Sequence, residues 1–325
     1  MKINIYDSNL KRVSIVGDQF ISCLWSEGYN TTEPFTLELR DVKEYRKAVK
    51  VDHYVGRSDR KALMVIKTVE ISNGKIIASG RQAQRVLNDV AFVGTIPANS
   101  NIDNSVVSAY NGSRGYPNVY FRETDLGVKY DAQISNKSIL ELCETMSQHA
   151  DIGFRSFKDE DGIAVEFYKP QEDRVVFSKA FGNLGDVGIT FSTEPLKNYA
   201  IVLGEGEGSA RKRVDVSLAK DDNIRELIID ARDLQRMEEE TDAEYEARLR
   251  ARGLEALLSS VETQKIDFTP IANEFGERYD LGTPVVVMLP EYGLRIETRI
   301  VRFEQVAQDN RIETTVEVGK LTIKR

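Results

Sequence analysis

Three glycines at alternate positions, Gly204, Gly206 and Gly208, follow the apolar run Tyr199 to Leu203. A glycine-rich loop holds phosphate when a strand precedes it and a helix follows, because helix N–H groups then meet the anion. Here a second alternating run follows instead, carried by Val214, Val216 and Leu218, and Glu205 and Glu207 would repel phosphate. The expected element is a mobile hairpin tip. Gly182, Gly185 and Gly188 read the same way. Asn183 and Asp186 beside them lack the oxygen-rich spacing of a calcium loop.

The other reactive side chains are equally scattered. Asp159, Glu160 and Asp161 form an acidic turn, expected to be solvated rather than to hold a metal. Glu238, Glu239 and Glu240 precede a helix start, where negative charge favours the macrodipole. The chain has two histidines. His149 lies near a helix end, and no nucleophile motif stands beside it. His53 is in phase with Val49, Val51 and Val55, as a satisfied imidazole in a core or interface would be. Cys23 and Cys143 each sit in an apolar run and are expected as buried thiols, not as a disulfide. A zinc site of ordinary spacing would need most of these four residues together. The 52 acidic residues leave room for a paired-carboxylate hydrolase site, but nothing singles out a pair. Arg211, Lys212 and Arg213 are the one dense basic cluster, a strand start that could meet an acidic partner surface. No catalytic, cofactor-binding or metal-ligating residue is assigned, and no cofactor is expected.

The elements that would carry these residues are mostly strands. The chain has 325 residues, more than one hydrophobic core of roughly 250–300 residues covers, so two or three domains are expected. Its 44 basic and 52 acidic residues give a net charge of −8. That is the reverse of a nucleic-acid footprint, and it disfavours attachment to anionic lipid. No apolar run is long enough to span a membrane, and Met1 to Asp7 alternates like a strand rather than a signal peptide.

Phe35, Leu37 and Leu39 alternate with polar residues, as do Val49, Val51, His53 and Val55. The runs Ala62 to Ile71 and Lys75 to Ala78 flank Asn73-Gly74, a hairpin signal. A helix capped by Ser79 follows, with Ala83, Val86, Leu87 and Val90 on one face. Residues 94–118 read as a long loop or the edge of a second domain. A second helix, capped by Ser135 or Asn136, carries Ile139, Leu142, Cys143, Met146 and Ala150 on one face. A hairpin over residues 152–168 completes an α+β unit. Thr241 and Glu244 form a capping box for a third helix, whose expected buried face is Ala243, Ala247, Ala251, Leu254 and Leu258. Pairs Glu244–Arg248 and Glu246–Arg250 suit its exposed side. Strands return from Lys265, over Pro284 to Leu289, Leu294 to Phe303 and Ile312 to Ile323. The expected fold is mainly β (α+β): two small antiparallel β-barrels, an α+β insert and a linking helix. The expected domains are 1–90, 91–195 and 196–325.

Several phrases resemble tail hub proteins of siphophages and prophages of Gram-positive hosts. They are Cys23-Leu24-Trp25-Ser26-Glu27-Gly28-Tyr29-Asn30, Pro34 to Leu39, Ile77-Ala78-Ser79-Gly80-Arg81, and Ile228 to Leu234. Tyr245 with Leu249, Arg252-Gly253, Tyr279-Asp280-Leu281-Gly282-Thr283 and the closing segment to Val318-Gly319 extend the match. The family is similar to the baseplate hubs of contractile tails, and some relatives carry the label "prophage endopeptidase tail". The resemblance implies a non-enzymatic structural protein at the virion tail tip, assembled in the bacterial cytoplasm. It implies a homotrimeric ring joining a six-fold tail tube or distal tail ring to a three-fold central fibre or spike, with tape-measure protein as a further partner. No sequence-specific nucleic-acid binding and no membrane insertion are implied. Longer relatives carry a peptidoglycan-cleaving domain after the hub, whereas this chain is expected to stop short of one. The alternative function is a tail protein that binds the host wall or cleaves peptidoglycan or carbohydrate.

Overall fold

In the computed structural model, residues 1–324 are described except 239, 272–273, 310 and 320–321. The contacts divide the chain into two units, Met1–Gly188 with Ile266–Arg325, and Ile189–Lys265. The chain is mostly strand with few helices, as its alternation predicts. Among the described residues no helix is long and apolar enough to cross a membrane.

The large unit is organised by one extended, mainly antiparallel sheet. Strand Pro34–Arg40 buries Phe35, Leu37 and Leu39 and turns Thr36 and Glu38 outward. It lies between Ser22–Gly28 and Lys75–Gln82. Leu63–Ser72 and Lys75–Gln82 form the hairpin that Asn73-Gly74 predicts, with both turn residues at positive φ, 51° and 75°. The long strand Leu294–Gln308 then pairs with Ser22–Gly28, from Arg302 opposite Gly28 to Gln308 opposite Ser22. Residues from opposite ends of the sequence therefore share one ladder. The core beneath it holds Ile3, Ile5, Trp25, Leu37, Met64 and Ile76. Full burial of each such side chain is worth about 1.5–3 kcal/mol.

Gly80 shows how closely the ladder packs. A Cβ there would stand 1.8 Å from the Val65 carbonyl oxygen, beside the bulge between Ile66 and Thr68. Backbone cannot move aside as a side chain can, so glycine is required.

A second core is built mainly from residues 83–167, with Leu10, Tyr54, Leu63 and Val65. It includes Val86, Leu87, Leu142, Cys143, Phe154 and Phe167. Helix α1 spans Lys43–Ala48, α2 Ile102–Asn111 and α3 Ile139–Ala150. Four sequence expectations need correction here. Val49 to Val55 is not one strand: α1 ends at Ala48, Asp52 turns at φ 62°, and the strand begins at Tyr54. Ser79 caps no helix, because its backbone belongs to the ladder; the following helix is a 3-10 segment, Ala83–Asp89, which buries Ala83, Val86 and Leu87 as expected. Residues 94–118 are not a long loop, because α2 lies within them. Asn101 caps it by accepting from the Asn104 N–H at 3.3 Å, and it buries Ile102, Val106, Ala109 and Tyr110. The cap of α3 is Ser138, reciprocated by Glu141; Asn136 instead adopts φ 51°. Ser138→Ala should cost about 1 kcal/mol in denaturant unfolding. No measurable change would mean that this cap does not hold the start of α3.

The small unit is a three-stranded sheet with a helix on it. Tyr199–Leu203 lies between Arg213–Ser217, antiparallel, and Glu226–Asp230, parallel. Helix α4, Asp242–Ser259, begins with the expected Thr241–Glu244 capping box. Its buried face is the opposite of the expected one: Tyr245, Leu249, Gly253 and Leu257 pack on Ala200, Val202 and Val214. Leu254 and Leu258 are 40% and 62% exposed. Gly253 permits the approach, since a Cβ there would stand 2.8 Å from a Val202 methyl. Of the two expected helix pairs, Glu246–Arg250 forms at 4.0 Å. Arg248 pairs with Glu240 instead, because Glu244 turns back to the cap.

Candidate functional site

Charge is buried where Ser22–Gly28 meets Leu294–Gln308. Alternation along the first strand would turn Glu27 inward with Trp25, and the structure does so. Glu27 accepts from the Trp25 indole N–H at 2.8 Å and from Arg60 through both oxygens, at 2.8 and 2.7 Å. The Arg60 guanidinium lies 4.5 Å from the Phe275 ring centre, and Phe275 stacks on Phe303 at 3.9 Å. Arg57 donates to Asp59 at 2.6 Å and to the Gln305 side-chain oxygen at 2.8 Å. Gln305 in turn donates to Thr314 at 3.0 Å.

The electrostatics follow from this geometry. Burial opposes ionisation of Glu27, but the Arg60 charge and the bonds from Arg60 and Trp25 outweigh it and hold the carboxyl below its ordinary value. Burial pushes Asp280 the other way, above the usual carboxylate range, although Arg60 lies 3.9 Å away. The network joins residues 248 positions apart in sequence, so it ties the register of the two chain ends together. It holds no nucleophile beside a base. Its chemistry is ion pairing and strand alignment. No motif announces it, and the only sequence signal is an acid at an inward position of an apolar strand.

The residues weighed for chemistry do not converge on one site. His53 is half-buried, with Nδ1 2.7 Å from the Ala48 carbonyl oxygen. His149 is exposed and meets Asp131 at 2.8 Å. Cys23 and Cys143 are free, buried thiols, and burial pushes Cys23 up to about 12 and Cys143 further. Asp159 organises its turn by accepting from the Asp161 and Gly162 N–H groups, each at 3.1 Å. Asn183 bridges Ser178 and Val176 at 2.9 and 2.8 Å, a structural role. Glu240 accepts from the Met237 N–H at 3.0 Å, while Glu239 lies outside the described residues. Among the described residues no group of three or more His, Cys, Asp and Glu gathers as metal ligands.

Two expectations for residues 204–213 change. The glycine loop is tied down: the Tyr245 hydroxyl accepts from the Glu205 N–H at 2.8 Å and donates to the Leu234 carbonyl at 2.8 Å. The basic cluster is paired internally. Arg211 donates to Gly204 O at 2.9 Å and Asp230 at 2.7 Å, Lys212 meets Glu246 at 2.6 Å, and Arg213 meets Asp215 at 2.8 Å.

This architecture is that of phage tail proteins. The 43 kDa tail protein of prophage MuSo2 from Shewanella oneidensis superposes with a TM-score of 0.60 at 16% identity, covering 98% of each chain. Prophage tail protein gp18 from Listeria monocytogenes EGD-e gives 0.53 at 13% identity, over 98% of this chain and 94% of that one. A chain of the phage P2 baseplate, in its activated conformation with Ca, gives 0.51 at 12% identity over 98% of each. No curated protein sequence matches. Residues 108–320 match the model of the Siphovirus ReqiPepy6 Gp37-like protein family, and the chain belongs to that family. Its fold is shared with these solved phage tail and baseplate proteins.

Proposed function

We propose that the chain is the structural hub of a siphophage tail tip. Three copies form a ring between the six-fold tail tube or distal tail ring and a three-fold central fibre or spike. The observation that carries this reading is family membership, joined to a likeness in fold that extends over nearly the whole chain to a phage P2 baseplate protein. A physical argument supports it. Strand Arg12–Gly17 pairs only with Ile3–Tyr6 among the described residues and exposes Val13 and Ile15, 42% and 62%. An open edge of this kind invites pairing unless a partner covers it. A closed ring covers such edges by heterologous contacts. In this reading regions 1–90 and 196–325 give each subunit two tube-like domains flanking the insert 91–195, so three subunits present six. Tape-measure protein and DNA pass through the ring. The net charge of −8 per subunit suits an acidic inner wall that duplex DNA does not grip.

Native mass measurement of the purified chain and imaging of tails test the reading. The expected result is a mass three times that of the chain, or three copies per tail tip. A stable monomer in solution together with any other copy number on the particle would overturn it.

A further inference from the structure

A cleft of about 510 Å³ opens in the large unit, where the end of strand Tyr54–Arg57 and the loop after it face the hairpin of Gly153–Lys158 and Ile163–Tyr168. An isolated antiparallel bridge between Ala62 and Phe157 joins the two walls. The volume lies in the range of small-ligand sites, ~300–1,000 Å³.

The charge of its lining is unlike that of the chain. Arg57, Arg60, Lys61, Arg122, Arg155 and Lys158 line it, against the two carboxylates Asp159 and Glu166, in a protein whose net charge is −8. Part of this charge is spent within the fold. Arg60 is held by Glu27, Arg155 by Glu166 at 2.6 Å, and Arg122 by Asp159 at 2.9 Å. The remainder is not. Lys61 is exposed and has no ion-pair partner among the described residues. Lys158, also exposed, donates only to the Asp159 carbonyl, at 3.1 Å, and lies 5.9 Å from the Tyr6 ring. Arg57, by contrast, is held by Asp59 at 2.6 Å and by Gln305 at 2.8 Å, and its side chain is only 2% exposed. The cleft thus presents two ammonium groups without an acidic partner at its surface, beside guanidiniums that already hold their own acids. An ammonium at an open cleft is free to bond an incoming carboxylate.

We propose that this cleft binds an acidic peptide segment. Its carboxylates meet Lys61 and Lys158, and its apolar side chains lie against Tyr6 and Phe157. The unpaired charge of the cleft is two ammonium groups on separate segments, which suits separated carboxylates rather than the concentrated charge of a polyphosphate. The assignment is independent of the ring: it concerns one subunit and holds for a monomer or a trimer.

The test uses the full chain and a fluorescein-labelled hexapeptide of alternating glutamate and leucine, followed by fluorescence anisotropy at low and at raised salt. The expected result is saturable binding that weakens with salt, as screening requires. Lys61→Glu with Lys158→Glu should weaken binding at least tenfold and leave the unfolding midpoint unchanged. The milder pair Lys61→Gln with Lys158→Gln should give a smaller loss, and a glutamine-for-glutamate hexapeptide should not saturate. Failure of the hexapeptide to bind, equal binding by its glutamine form, or unchanged affinity in both double variants would overturn the proposal. So would tighter binding of tripolyphosphate than of the hexapeptide, which would make the cleft a phosphate site.

Discussion

Glu27→Gln is expected to destabilise the large unit by about 3–5 kcal/mol, the usual cost of removing one partner of a buried ion pair. The Arg60 and Glu27 side chains are only 12% and 5% exposed, so water cannot replace the lost charge. Glutamine keeps the shape, but it offers one acceptor where Arg60 now uses two. Glu27→Leu combined with Arg60→Met should recover most of the loss, since an apolar pair of similar volume leaves no stranded charge. The pH dependence has a definite sign. Burial opposes the charged form of Glu27, but Arg60 and Trp25 lower its folded value below the ordinary 4.5. A depressed carboxylate contributes stability that is complete above the unfolded value and is lost as pH falls through the folded one. The gap between the native protein and Glu27→Gln should therefore be full at neutral pH and shrink progressively below pH 4.5. Comparison with the variant isolates Glu27 from its charged neighbours Arg57, Asp59 and Asp280, which are common to both. Urea unfolding across that range checks the claim, and a pH-independent gap or one under about 1 kcal/mol would refute it.

Period-2 runs and turn chemistry were legible because they are local. Phe35, Leu37 and Leu39 declare a half-buried strand, and Asn73-Gly74 declares its hairpin, before any tertiary contact is known. The errors arise where tertiary context decides. Val49, Val51 and Val55 match the strand template, yet Asp52 takes a left-handed turn and Val51 is left 52% exposed. Helix α2 was hidden by the Gly, Asn, Ser and Pro around it, although Asn101 and the spacing of Ile102, Val106, Ala109 and Tyr110 carry its cap and face. The Glu27–Arg60–Arg57–Gln305 network had no local signal at all. Its members come from three separate stretches of sequence, and only the pairing of Ser22–Gly28 with Leu294–Gln308 brings them together. The basic cleft is illegible for the same reason, since Lys61 and Lys158 are joined by a single bridge between Ala62 and Phe157. Arg211 to Arg213 err in the other direction: adjacent in sequence, they look like one patch, yet each has its own acid.

Helix α4 offers two candidate faces on opposite sides, and substitution separates them sharply. Leu249→Ala and Leu257→Ala should each cost about 2–5 kcal/mol in the small unit, because both side chains are essentially buried against Ala200, Val202 and Val214. Leu254→Ala and Leu258→Ala should stay within about 0.5 kcal/mol, as substitutions at exposed positions do. The alanine-rich stripe looked apolar because Ala243, Ala247 and Ala251 precede those two leucines at helical spacing. Alanine, though, is also the best helix former at an exposed site, so its presence reports propensity as readily as burial. The buried face is marked instead by Tyr245, whose ring is covered while its hydroxyl holds Glu205 and Leu234, and by Gly253, which admits a Val202 methyl. Gly253→Ala should therefore also destabilise, even though alanine favours the isolated helix: the added Cβ would stand 2.8 and 2.9 Å from methyl groups of Val202 and Val216. Helix propensity alone predicts a gain of up to ~1 kcal/mol from that change, whereas packing predicts a loss. Chemical unfolding that shows a gain at Gly253, or equal losses at Leu254 and Leu257, would reverse the assignment of the face.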